Sequence, residues 1–267
     1  DVKLQAVHVM QLLAPEVLVA RADVILWSLG MLRSETVKIA ARQVLLRVPP
    51  GELGPHVDVI LRCLDSSHPE DVRYEARLVL RKLEPRMMVH HVHAIVRCLE
   101  SWASNDVKYE ALQMLILFPA EALADHVDAI LRCVDSRHST FVRLEALKVL
   151  GSRIPAALTP RIDALLQLLH SQCPTDVKLA SLKVLNMLAP SVIAPHVGSI
   201  LHCLSLDCTN DLQFQALKLL GVLAPEVLTF HVGPILQCLD SNYADDVRLA
   251  AHGVVSKLEA SVLEPYV

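Results

Sequence analysis

The four residues Asp106-Val107-Lys108-Tyr109 return, with close substitutes, every 35 residues along the chain. The other copies are Asp1-Val2-Lys3-Leu4, Thr36-Val37-Lys38-Ile39, Asp71-Val72-Arg73-Tyr74, Phe141-Val142-Arg143-Leu144, Asp176-Val177-Lys178-Leu179, Asp211-Leu212-Gln213-Phe214 and Asp246-Val247-Arg248-Leu249. No insertion interrupts the period, and the 267 residues hold about 7.6 repeats. A fixed period of this length is typical of stacked repeat arrays. The sequence therefore predicts one continuous array over residues 1–267.

Each repeat predicts two short antiparallel helices. In the fourth repeat, Asp106 is the expected N-cap of a helix over 107–118, and Pro119 is expected to end it. Its apolar stripe is Val107, Ala111, Met114, Leu115 and Phe118. Another helix is expected over about 126–135. Its buried stripe is Val127, Ile130, Leu131 and Val134. Because both helices are too short to be stable alone, burial against neighbours must stabilise them.

A small residue occupies the sixth position of each repeat, which indicates that helices approach closely there. These residues are Ala6, Ala41, Ala76, Ala111, Ala146, Ser181, Ala216 and Ala251. A typical repeat has an apolar helix that ends in Asp, then a polar turn, then a helix that begins with Asp-Val-Arg and is rich in Ala and Leu. This order of elements resembles the HEAT repeat. One unit in that phase runs from about Pro55 to Leu83.

The resemblance implies an all-α fold, a right-handed α-α superhelix (HEAT-like solenoid) of the armadillo-like group. It also implies that the second helix of each unit in this phase, such as 107–118, lines a concave face. The first helix, such as 126–135, is then expected to line a convex one. Some repeats depart from the pattern: Phe141 replaces the expected capping Asp, Gln213 the basic residue, and Leu168 the usual Cys.

Composition narrows the functional classes. Hydrophobic residues make up 53% of the chain and aromatic residues only 4%, which suits packed layers of helices. A net charge of −4 gives no general attraction to nucleic acid. Charged or polar residues interrupt every long apolar run, so no transmembrane segment is expected. The chain begins at Asp1 and stops within a repeat, and we expect it to be part of a longer solenoid.

Five of the seven cysteines share one repeat position in the first helix: Cys63, Cys98, Cys133, Cys203 and Cys238. Copies one helix spacing apart exceed the Cα separation of about 7 Å that a disulfide tolerates, and the same holds for Cys173 and Cys208. We expect these thiols to pack in the core. They favour an intracellular, reducing compartment, by default the cytoplasm.

Five histidines also share one position, at the start of the first helix: His56, His91, His126, His196 and His231. His90 and His93 are spaced to face the same way on a helix, but a stable metal site needs further ligands. We therefore expect no metal site and no cofactor. The sequence also lacks GxGxxG, GxxxxGK[ST], GxSxG and HExxH, so no catalytic residues are predicted.

Basic residues form another column: Lys3, Lys38, Arg73, Lys108, Arg143, Lys178 and Arg248. A spaced basic stripe could follow a phosphate backbone. The resemblance favours a structural role, because in HEAT repeats the corresponding Asp and Arg pair between neighbouring units. Nucleic-acid binding, or the handling of a chromophore or cofactor, remains the alternative function.

Residues that bind a partner should lie where the repeat varies. The fifth, eighth and twelfth positions of the second helix share one face and carry a mixture of charged and apolar groups. The candidates for protein binding are Leu78, Lys82, Gln113, Leu117, Lys148, Lys183, Met187, Lys218 and Val222. Trp27, Trp102 and Tyr243 are further candidates for exposed anchors. The predicted function is a non-catalytic scaffold or protein-protein interaction module within a multi-subunit complex, without a small-molecule or nucleic-acid ligand.

Overall fold

A computed structural model describes residues 70–83, 88–100, 103–170 and 172–264, with a few single residues before them. These residues form helices and turns, and there is no strand among them. The chain divides into two compact units, residues 1–133 and 134–267. The single continuous array over 1–267 stays a prediction.

The first unit contains long helices that alternate with groups of short ones. Its described α-helices are α1 (Glu70–Leu80), α2 (Val92–Arg97), α3 (Asn105–Leu115), α4 (Ala120–Leu123) and α5 (Val127–Arg132). The 3-10 helices Val89–His91 and Ala124–His126 lead directly into α2 and α5. The predicted helix over 126–135 is therefore shorter than expected, and it follows a one-turn helix and a 3-10 turn.

The second unit repeats this alternation. Its α-helices are α6 (Thr140–Arg153), α7 (Ile162–His170), α8 (Thr175–Leu185), α9 (Pro190–Ile193), α10 (Val197–Leu201), α11 (Asn210–Leu220), α12 (Pro225–Leu228), α13 (Val232–Gln237), α14 (Asp245–Val255) and α15 (Ala260–Leu263). Its 3-10 helices are Pro155–Arg161, Ala194–His196, His202–Leu204 and Thr229–His231. The long helices pack in chain order, α6 on α8, α8 on α11 and α11 on α14. Helix α8 also packs on α7, so long helices form one layer and shorter helices the other.

The sixth repeat position is buried at this helix packing in every repeat where the structure describes it. The described residues there are Ala76, Ala111, Ala146, Ser181, Ala216 and Ala251. Ser181 keeps its hydroxyl satisfied by donating a hydrogen bond to the carbonyl oxygen of Leu165 on α7, 2.9 Å away. The small side chains let the layers approach, and the surrounding leucines and valines supply the buried apolar surface that stabilises helices of this length.

The helix boundaries differ from the sequence prediction at both ends of α3. The Oγ of Ser104 accepts a hydrogen bond from the backbone N–H of Val107, so Ser104 is the N-cap. The prediction that Asp106 is the cap is wrong. Asp106 lies in the first turn, where its negative charge interacts favourably with the helix dipole. Pro119 does not end α3 either, because the helix stops at Leu115 and Pro119 precedes α4.

Ser139 caps α6 as Ser104 caps α3, through a 3.4 Å hydrogen bond from the N–H of Val142. The Ser139→Ala variant is expected to lose about 1 kcal/mol of unfolding free energy, because one buried helix-start N–H loses its partner. Phe141→Ala is the matched control, since Phe141 occupies the repeat position of the predicted capping Asp and is exposed. Urea denaturation should show a change below about 0.5 kcal/mol for the control, and equal losses would contradict this cap assignment.

Candidate interaction surface

The predicted binding residues lie at the carboxyl ends of the long helices. In the first unit, Leu78 and Gln113 are half-buried, whereas Lys82 and Leu117 are exposed. The second unit exposes all of its candidates, which are Lys148, Lys183, Met187, Lys218 and Val222. Most residues of the twelfth position, such as Met187, follow the helix rather than belong to it. Whether these residues bind a partner stays a prediction.

Exposed apolar side chains recur at the twelfth position. The exposed fraction is 55% for Leu117, 58% for Met187 and 49% for Val222. Isolated exposed apolar residues are ordinary, but in the second unit Met187 and Val222 recur at the same position of successive repeats. By contrast Leu78, which is half-buried, packs partly against its neighbours.

An apolar pocket lies in the first unit where α1 and α3 end. It is open to solvent and has a cavity volume of about 180 Å³. Its apolar lining is Leu80, Leu83, Met88, Met114, Leu117 and Phe118. A pocket of this kind accepts an aliphatic or aromatic side chain, which is how interface anchors bind.

The rim of this pocket is a polar cluster that links α1 to α3. The Nη2 of Arg81 lies 2.8 Å from both carboxylate oxygens of Glu110 and 3.1 Å from the Oε1 of Gln113. Gln113 in turn donates from its Nε2 to the hydroxyl of Tyr109, at 2.7 Å. The sequence prediction included Gln113 and missed Arg81. Arg81 and Glu110 are 29 residues apart, six fewer than one repeat, and this spacing gave no local signal of their contact.

The corresponding face of the second unit is more cationic. The Nζ of Lys148 pairs with the Oε1 of Glu145 at 3.0 Å, while Lys183 and Lys218 extend into solvent. A Cβ added to Gly151 would lie 3.0 Å from the Cγ2 of Val184 and 3.4 Å from the Sδ of Met187. Glycine therefore permits α6 and α8 to approach closely, and Met187 rests against the end of α6.

Two members of the column of basic residues, Lys108 and Arg143, lie in the interior. Lys108 and Arg143 are only 2% and 4% exposed. Arg143 donates from Nε to the carbonyl oxygen of Val134 at 2.9 Å, and from Nη2 to the Sγ of Cys173 at 2.7 Å. The predicted Asp partner is therefore wrong for Arg143. Gln213, at the same repeat position, donates to a backbone carbonyl oxygen in the same way.

Cysteines of the main column are buried, in line with the packing role predicted for them. Burial raises the pKa of the Cys63 and Cys133 thiols to about 11, and that of Cys203 to about 12. A thiol that keeps its proton at neutral pH is a poor nucleophile and a poor metal ligand. The Sγ of Cys133 donates to the carbonyl oxygen of Ala129, one helical turn earlier.

Histidines pair between repeats. The rings of His93 and His126 meet edge to face with centroids 4.6 Å apart, and those of His170 and His202 with centroids 4.7 Å apart. Burial, with a smaller contribution from His93, lowers the pKa of His126. In the part of the chain that the structure describes, no group of three or more His, Cys, Asp or Glu side chains is placed to hold a metal ion.

Of the three predicted aromatic anchors, Tyr243 lies within the described residues. Tyr243 is half-buried and donates its hydroxyl to the carbonyl oxygen of Leu204 at 3.0 Å, so the prediction of an exposed anchor there is wrong. The hydroxyl instead satisfies a carbonyl at the end of the preceding repeat. Trp27 and Trp102 lie outside the described residues.

The architecture defines the class of protein. Long helices that pack in chain order, covered by short helices of the same repeats, form an all-α solenoid of the HEAT-like kind, as the sequence predicted. Within the described ranges, no helix combines the length and the hydropathy that a bilayer span requires.

The solved structures with this fold include those of the karyopherin Kap121p. Kap121p bound to RanGTP matches with a TM-score of 0.59 and 17% identity, over 98% of this chain and 32% of that one. A Kap121p mutant matches with a TM-score of 0.56 and 15% identity, over 95% of this chain and 31% of that one. The chain thus spans about a third of the length of these structures. No protein-family model and no curated protein sequence matches it.

The raised pKa of Cys133 predicts a stability change at high pH. The unfolded thiol, with a pKa near 9, loses its proton before the folded one, so this residue's contribution to stability falls between pH 9 and about 11. The stability gap between the native chain and Cys133→Ala should therefore shrink by about 2 kcal/mol over that range.

Urea unfolding in reducing buffer at several pH values measures this gap. Val127→Ala is the control, since it removes buried apolar surface from the same helix without removing a titratable group. Its gap should stay constant with pH. A constant gap for Cys133→Ala as well would contradict the raised pKa.

Proposed function

We propose that this chain is a non-catalytic protein-interaction module that forms a scaffold segment of a larger assembly. The observation that carries the proposal is the exposure of Leu117, Met187 and Val222 at one repeat position, among charged and polar neighbours. Apolar contact residues surrounded by polar ones are the usual composition of a protein interface. The pocket beside Leu117 adds a place for a partner's anchor residue.

The known uses of the fold support this proposal. Kap121p has been solved in complexes with the SUMO protease Ulp1p, with RanGTP and with Nup53p. Those complexes show that a solenoid of this kind presents surfaces to other proteins. The present chain shares the architecture at 17% identity, so its own partner follows from its own surface residues.

The interior chemistry supports a binding role over catalysis. The repeated thiols are buried and protonated, and the buried Arg143 is engaged by Val134 and Cys173. The proposal therefore assigns no catalytic residue and no cofactor. It places the protein in an intracellular, reducing compartment, where the thiols stay unoxidised.

Site-specific photo-cross-linking tests the proposal. A photoreactive amino acid at position Met187 or Val222, in the protein expressed in its native cells, should yield a discrete cross-linked product with the same partner protein. Leu206 is the matched control, because it is also an exposed apolar residue but lies in the turn before α11 rather than after a long helix. Cross-linking at Leu206 should be at least about tenfold weaker, since Leu206 lies outside the proposed interface and does not contact the partner.

Two results would contradict the proposal. One is the absence of any product at both Met187 and Val222, while the variants keep the circular dichroism spectrum of the native chain. The other is an equal yield of many products at Met187 and Leu206, which would indicate random collision.

A further inference from the structure

The second unit carries a row of cations at the eighth repeat position. Lys148, Lys183 and Lys218 lie on the packed helices α6, α8 and α11, and all three are exposed. Lys148 is paired with Glu145. For Lys183 and Lys218, no carboxylate partner lies within 4.0 Å among the residues that the structure describes. Two ammonium groups of this row are therefore available to a partner.

Few carboxylates lie near these two lysines. The sequence has no acidic residue between Asp176 and Asp207. The acids of α8 and α11 are Asp176 and Asp211, in the first turn of each helix, and a separation of seven residues places them about 10 Å from the lysines along the axis. Glu226, in the first turn of α12, is the next acid along the chain after Lys218. The face thus keeps a local positive charge in a chain whose net charge is −4.

Apolar groups alternate with these cations. Met187 follows Lys183 by four residues and Val222 follows Lys218 by four, so each pair lies on one side of its helix end. Both apolar side chains are about half exposed. Met187 also packs against the end of α6, since its Sδ lies near Gly151. A partner on this face meets a charge and an apolar contact in each of these two repeats.

We propose that this row, defined as Lys183, Met187, Lys218 and Val222, binds an extended acidic segment of another protein. The proposal rests on the proposed function and specifies the chemistry of the partner. Packed helices are about 8–10 Å apart, and one three-residue turn of an extended polyproline II segment spans about 9 Å and returns to the same face. Carboxylates at every third residue therefore match successive lysines, and apolar residues between them meet Met187 and Val222.

The row suits a polypeptide better than a nucleic acid. Proteins that bind single strands stack the bases on aromatic side chains, and no residue of this row is aromatic. Within the basic column, Lys108 and Arg143 are buried, and Arg143 is hydrogen-bonded to a backbone carbonyl oxygen, so neither faces a phosphate backbone. Met187 and Val222 can contact apolar side chains of a peptide, whereas a phosphate backbone offers them no apolar group.

Fluorescence anisotropy with the whole chain tests this inference. One labelled peptide of about 12 residues carries Glu at every third position with Leu and Ser between, and a second has the same composition with its Glu residues grouped at one end. The spaced peptide should bind about tenfold more tightly, and added salt should weaken it. The double variant Lys183→Glu/Lys218→Glu should lose at least about tenfold in affinity, since two attractive charges become repulsive.

Arg137→Glu is the matched control, because Arg137 is an exposed cation of the same unit and lies in the turn before α6. It should leave binding of the spaced peptide unchanged, and circular dichroism should show all variants folded. Equal binding of the two peptides, or no effect of the double variant, would overturn the proposal. Tighter binding of a labelled oligothymidine with the same lysine dependence would overturn it in favour of nucleic acid.

The photo-cross-linking experiment separates this inference from the proposed function. If a partner is captured at Met187 and the double lysine variant still captures it equally well, the acidic-segment proposal fails and the protein-binding function stands. If nothing is captured at Met187 or Val222 and the spaced peptide does not bind, both fail.

Discussion

The whole structure depends on the close packing of short helices against their neighbours. A helix of about three turns is only marginally stable in water, so each long helix must bury its apolar stripe on adjacent helices. The small residue at the sixth position makes this possible, since Ala146, Ser181 and Ala216 are completely buried. One larger side chain there would separate α6, α8 and α11, whose contacts follow the chain order. A small residue therefore recurs at the sixth repeat position because a larger one would not fit between the packed helices.

Polar groups reinforce this packing where repeats meet. Arg143, Ser181 and Gln213 are buried, and each donates to a backbone carbonyl oxygen on another element. A buried donor is tolerated only when it is satisfied, and the bonds of Arg143 and Gln213 also occupy carbonyl groups just after helix ends. These three residues are thereby committed to the interior and are unavailable to a ligand.

The eighth and twelfth positions are free of that requirement, which explains why they vary. In the first unit they contribute to an apolar pocket with an Arg81–Glu110–Gln113 rim. The second unit has exposed lysines and apolar side chains at the same positions. A repeat protein with a constant interior and a changing surface can present different chemistry along its length, as a scaffold for proteins requires.

The sequence by itself determined the period, the helical class, the small residue at each helix contact and the burial of the five cysteines that share one repeat position, because these are local patterns of side-chain size and polarity; Cys173 and Cys208, also expected in the core, are only half-buried. Only the tertiary structure decided which residues cap the helices, that Arg143 points into the interior, that Tyr243 bonds to Leu204, and that Met187 and Val222 are exposed. Each of these depends on which carbonyl or side chain of the adjacent repeat comes within reach. That distance is set by how the helices stack, and no local pattern contains it.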